Sequence, residues 1–146
     1  MTSRLHIVDR DTMLRRGLEL INWDPARLHR ISLKTQKRKF RETYGNDTST
    51  LCDIYEDLQT TSSEEARIVG SESTLTKFLI AVHCARNYQA EHEALTVFTC
   101  IQTEKTYRKY VWPLLSKIAA LKEQTVRNSL FCVDIRISLL ISCFYL

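Results

Sequence analysis

Proline and glycine are scarce, at 2 and 3 residues of 146. A sheet protein with many tight turns needs more of both, since glycine supplies positive-φ positions and proline presets turn geometry. The shortage therefore favours helices. Long hydrophobic runs are also missing: the uncharged stretch that starts at Ile137 has only ten residues, too few to span a membrane. The first residues are polar and charged where a secretory signal needs an apolar core, so export is not expected. The five cysteines, Cys52, Cys84, Cys100, Cys132 and Cys143, are odd in number and contain no CxxC pair. They read as small buried hydrophobes in a reducing compartment. His83, Cys84, His92 and Cys100 share one stretch, but at spacings that match no common zinc finger or ribbon, so no metal or other cofactor is expected. Paired carboxylates, a nucleophile with its base and a glycine-rich phosphate loop are lacking too, which ranks an enzyme last and argues against a small-molecule substrate.

What is present is an ordinary globular composition, 44% apolar and 26% charged, with enough chain for one modest domain. The net charge of +4 is mild, so its distribution matters more than its size. One concentration of it lies in the stretch from Glu91 to Leu121, around which the rest is organised. Thr103 is a candidate N-cap, and Glu104 suits the positive end of the helix that follows. Tyr107, Val111, Leu114, Leu115, Ile118 and Leu121 recur at steps of three and four, one apolar face of a 3.6-residue helix. Lys105, Arg108 and Lys109 fall on the opposite face near its start. Pro113 removes one amide and is expected to bend the helix a turn later. Glu91, Ala94, Leu95 and Phe98 give a shorter amphipathic pattern, and Thr99 to Gln102 a turn. The whole reads as a helix-turn-helix whose second helix enters a DNA groove. The same pattern also fits two helices of a plain helical domain with a solvated basic face.

In chain order, residues 1–26 read as a weakly helical or disordered lead. Asp11 or Thr12 is its candidate cap, Met13, Leu14, Leu18 and Ile21 its apolar set, and Gly17 a softening residue. Trp23-Asp24-Pro25 breaks it. Residues 27–126 form the main domain. It opens on Arg27, Arg30, Lys34, Lys37, Arg38, Lys39 and Arg41, a cluster that attracts phosphate and contains a tripeptide resembling a nuclear-import signal. Ser32 is the expected cap of a helix with Leu33, Gln36, Phe40 and Tyr44 along one face, closed by Gly45. Thr48 or Ser49 caps the next helix, with Leu51, Ile54, Tyr55 and Leu58 buried, Cys52 just off that stripe, and Asp53, Glu56 and Asp57 outside. Gln59 to Ser71 is a polar loop. After it, Leu75, Phe78, Leu79, Val82 and the Cys84–Ala85 region mark a central core helix ending near Asn87, with His83 a core or boundary histidine. Residues 127–146 are an apolar tail, whose β-branched content over Leu130 to Leu146 favours a strand.

Three of these segments resemble the N-terminal helical region of Harbinger-type DDE transposases: Arg38-Lys39-Phe40-Arg41-Glu42-Thr43-Tyr44-Gly45, then Thr50 to Leu58, then Thr103-Glu104-Lys105-Thr106-Tyr107-Arg108-Lys109-Tyr110-Val111-Trp112-Pro113. The resemblance covers roughly Leu28 to Val126. It implies a DNA-binding part that precedes a catalytic domain of the ribonuclease-H type, in which three carboxylates hold two divalent ions. Leu130 to Asp134 looks like the strand carrying the first carboxylate, but the Gly-Thr-Asp continuation is absent and no second or third carboxylate follows.

The expectation is thus an all-α domain of about five helices with a helix-turn-helix and an apolar tail. It would bind double-stranded DNA through Lys105, Arg108 and Lys109, with Lys34, Lys37, Arg38, Lys39 and Arg41 on the backbone, in the nucleus, without membrane attachment and without catalysis. A full-length transposase or an accessory protein is the implied protein partner. The rival readings are a protein-interaction module using the Trp112 face and the tail, or a degenerate product with no selected activity.

Overall fold

The computed structural model describes residues 5–87, 95–98, 100–101 and 103–128. Expectations placed on Glu91, His92, Ala94, Thr99, Gln102, Cys132, Asp134, Cys143 and the strand over 130–146 lie outside the described residues. Within them the chain is all helical, with no strand. The helices are α1 (Arg10–Leu20), α2 (Pro25–Leu28), α3 (Leu33–Tyr44), α4 (Thr48–Thr60), α5 (Glu72–Asn87) and α6 (Glu104–Asn128), and residues 95–97 add a helical turn before α6.

α5 is the centre. Leu75 and every residue from Phe78 to Ala85 are buried, and a helix apolar on all sides is stable only when covered on all sides. α6, α3 and α1 supply the cover. From α6 the predicted stripe of Tyr107, Val111, Leu114, Leu115, Ile118 and Leu121 is buried throughout. Each such side chain contributes about 1.5–3 kcal/mol when removed from water. The helix runs unbroken through Pro113, which is solvent-exposed. α4 buries Leu51, Ile54, Tyr55 and Leu58 as expected, and α1, α3 and α6 pack against it.

α1 does not stand apart as a lead. Met13, Leu14 and Leu18 are buried in the common core, and α1 packs on α4 and α3. Gly17 explains the close approach: a Cβ there would lie 2.4 Å from Phe40 Cε2. The residue that looked like a helix softener is the seat for an aromatic ring of α3. After α1 the chain turns through Asn22, whose φ of 70° is one that asparagine tolerates. Asp24 then caps α2 by accepting from the Ala26 amide at 3.0 Å, with Pro25 at the first helical position.

The helix ends were placed well but their caps shifted. Ser32 caps α3 and Gly45, at φ 78°, closes it, both as expected. α1 is capped by Asp9 instead of Asp11 or Thr12, its carboxylate accepting from the Thr12 amide at 2.7 Å. α4 is capped by Asp47 instead of Thr48 or Ser49, accepting from Thr50 at 3.0 Å. In both cases the aspartate lies three residues before a free first-turn amide, the distance a cap needs. Leu33 was expected on the buried face, but as the first residue of α3 it projects beyond the packed region and is 54% exposed. α4 extends to Thr60, and the following loop is less polar inside than its composition suggests. Ala66 and Ile68 are buried, and the Ile68 amide donates to the Leu58 carbonyl at 2.9 Å.

The N-terminal strap is held at His6, whose ring lies 2.8 Å from the Tyr55 hydroxyl and 3.4 Å from Glu72 Oε1 and whose backbone is clipped by Gln59. The His6 amide donates to Gln59 Oε1 at 2.8 Å, and Gln59 Nε2 donates back to the His6 carbonyl at 3.0 Å. The Gln59 amide thus pairs with the strap as a second peptide would. Of the cysteines described, Cys84 is buried, Cys52 is half-buried and Cys100 is exposed, so the expectation of uniformly buried thiols fails at Cys100. No helix among the described residues is long and apolar enough to cross a membrane.

Candidate nucleic-acid interface

Four of the five expected α3 cations share one concave wall. Lys34, Lys37, Arg38 and Arg41 line a groove of about 520 Å³ between α3 and the N-terminal ends of α1 and α4. The cause is helical spacing, since steps of three and four keep these positions on one face. Arg10, at the start of α1, adds a fifth cation that the sequence pattern had not singled out. Its role depends on α1 docking beside α3, and only the packing reveals that. Asp11 and Asp47 also line the groove, leaving the wall positive. Arg41 Nη2 lies 3.7 Å from Asp47 Oδ2 in an exposed pair, worth little in water. Asp47 is held below the ordinary carboxylate range, first by the Thr50 amide it caps. Ser49 also donates to it at 3.0 Å.

Lys39 departs from that wall. It points to the other flank of α3 and lines a second cavity of about 400 Å³ with Trp23, Glu42, Thr43, His83 and Asn87. His83 is 4% exposed, and its Nδ1 is buried without a hydrogen-bond partner. Burial lowers its pKa to about 4, so the ring is neutral at physiological pH. The Tyr44 and Phe98 rings meet it edge-on at centroid distances of 6.3 and 4.7 Å. Asn87 Nδ2 donates to the Thr43 carbonyl at 3.2 Å and to the His83 carbonyl at 3.0 Å, tying α5 to α3 at the cavity. The Arg27 guanidinium sits over the Trp23 ring, 5.4 Å from its centroid.

The cations of α6 form a separate set. Thr103 accepts from the Thr106 amide at 3.2 Å and so caps the helix as expected. Lys105, Arg108 and Lys109 are exposed. Arg108 Nη2 lies 3.7 Å from Glu104 Oε2 one turn earlier, which offsets part of its charge. Before the cap, the Ile101 amide donates to the Phe98 carbonyl at 3.2 Å, closing a turn between residues 95–97 and α6. α5 packs against both α3 and α6, and neither cavity includes an α6 residue. The two expected DNA-contacting sets therefore share neither cavity.

Comparisons of the chain with protein-family models, with curated proteins and with solved structures find no match.

Proposed function

We propose that this domain binds double-stranded DNA, and that it derives from the DNA-binding part of a Harbinger-type transposase. The observation that carries the binding proposal is the groove beside α3, lined by Lys34, Lys37, Arg38 and Arg41 from α3 and Arg10 from α1, five cations against two carboxylates. Guanidinium groups suit this use because they stay charged and grip phosphate oxygens with two parallel donors. Ancestry rests on the resemblance of the segments around Arg38–Gly45, Thr50–Leu58 and Thr103–Pro113.

In this reading α3 holds the phosphate backbone, and the exposed start of α6 offers Lys105, Arg108 and Lys109 as a second contact. No catalytic step is assigned to the domain. Each phosphate neutralised releases counterions, so affinity falls with salt in proportion to the number of contacts. For three phosphates the loss is about forty-fold between roughly 50 and 200 mM salt. The test is a fluorescence-anisotropy titration of the full chain against random duplex DNA at those two concentrations. Salt-steep binding is the expected result, and absence of binding at the lower salt would sink the proposal.

A further inference from the structure

The loop between α4 and α5 carries chemistry that neither set of DNA-contacting cations uses. Thr61, Ser62 and Ser63 follow α4 directly, and Glu64 and Glu65 follow them. Ser62 is exposed and lies outside any helix, so a second protein reaches its hydroxyl without unwinding an element. Arg67 folds back on this run: its Nε donates to the Thr61 carbonyl at 3.0 Å and its Nη2 to the Ser62 carbonyl at 3.3 Å. Those bonds leave guanidinium donors to spare. The Arg67 carbonyl in turn accepts from Lys117 Nζ of α6 at 2.8 Å.

We propose that Ser62 is a phosphorylation site for a protein kinase that selects carboxylates on the C-terminal side of its acceptor, and that Arg67 captures the phosphate. In the transfer, Ser62 Oγ bonds to the γ-phosphorus of ATP, the bond from that phosphorus to the bridging oxygen breaks, ADP leaves, and the hydroxyl proton passes to the kinase's base. Glu64 and Glu65 are both exposed and offer a basic kinase cleft its charge. The neighbouring hydroxyls are poorer acceptors. Thr61 and Ser63 are half-buried, and the Thr61 hydroxyl accepts from the Ser63 amide at 3.3 Å. A phosphoserine carries roughly −1.5 to −2 charges at neutral pH. The C-terminal end of α4 and the two glutamates oppose that charge, so the Arg67 fork decides whether the phosphate docks or stays in water. Once docked, it fastens the loop between α4 and the Lys117 contact on α6. The basic groove opens at the other end of α4, and the inference does not rest on DNA binding.

The experiment incubates the folded full chain with such a kinase and ATP, and mass spectrometry locates the phosphate. A single phosphate on Ser62 is the expected result, lost in Ser62→Ala and in Glu64→Lys with Glu65→Lys. These residues are exposed, so the substitutions spare the core. Limited trypsin digestion then reads the capture. Cleavage after Arg67 slows by about fivefold on phosphorylation, the upper range for an exposed charge pair. In Arg67→Lys trypsin still cuts, but the planar fork is gone, so phosphorylation leaves the cleavage rate unchanged. No phosphate on the folded chain, or phosphate confined to another residue, overturns the site. A Ser62 phosphate that leaves cleavage after Arg67 unslowed, or that slows the Arg67→Lys variant equally, overturns the capture.

Discussion

The Tyr44 hydroxyl donates to the Gly17 carbonyl at 2.6 Å, joining α3 to α1 inside the core. Tyr44 is fully buried, so both partners have given up water for this one bond. Tyr44→Phe removes the donor and leaves the carbonyl short of a partner, at a cost of about 1–2 kcal/mol. Urea denaturation should show a lower midpoint with an unchanged slope; an unchanged midpoint would mean that the carbonyl is satisfied without Tyr44.

Gly17→Ala tests the other half of the same contact. Alanine gains about 1 kcal/mol over glycine in a helix interior. Here, however, the added methyl would lie 2.4 and 2.8 Å from two Phe40 ring carbons and 3.0 Å from Tyr44 Cε2. Overpacking of that kind costs about 1–3 kcal/mol or more, so net destabilisation is expected. A more stable variant would show that α3 yields easily. Thermal unfolding decides between the two.

Stability should fall with acid through His83. Its folded pKa of about 4 lies below the ordinary 6.5, the cause being burial. Between those values the unfolded chain binds a proton that the folded one refuses. The His83 contribution is therefore complete above pH 6.5 and is lost progressively as pH drops toward 4, by roughly 3 kcal/mol at the limit. The Tyr44 and Phe98 rings face the imidazole, and Lys39 and Glu42 share its cavity. Denaturation midpoints from pH 7 to 4 should trace the loss, and His83→Leu should flatten that limb. An equal slope in the variant would assign it to carboxylates.

The two basic surfaces make separable predictions. Arg38→Ala with Arg41→Ala should lower DNA affinity at low salt and reduce the salt slope by about two, the number of phosphate contacts removed. Arg108→Ala with Lys109→Ala should weaken binding as well, if the start of α6 meets the same duplex. Additive losses in the four-fold variant would indicate independent contacts. Unchanged affinity after the α6 pair alone would confine the interface to α3.

Apolar spacing foretold the helices well, because three- and four-residue steps survive in any tertiary context. The stripes of α4 and α6 and the continuous apolar centre of α5 were all legible. Caps were harder, since Asp9, Asp11 and Thr12 form one run of competent residues, as do Asp47, Thr48 and Ser49. Local chemistry does not choose among them; the register of the packed face does. The candidate site was legible only as charge. Nothing in the sequence says that Arg10 comes beside Lys34 or that Lys39 turns away from Arg38's neighbours. Nor does it say that Trp23, Thr43 and His83 meet around one cavity. Those facts depend on which helices are neighbours, and residue types alone do not fix that.

The Gln59 clip on His6 also constrains the chain on its way to the groove. The strap meets α4 at its C-terminal end, whereas the groove opens at the N-terminal end, at Asp47 to Ser49. Some 11 residues of helix, about 17 Å at 1.5 Å each, separate the two. Arg10 of the basic groove nevertheless follows His6 by only four residues, so the clip that fastens the strap also limits the path by which that cation reaches the groove.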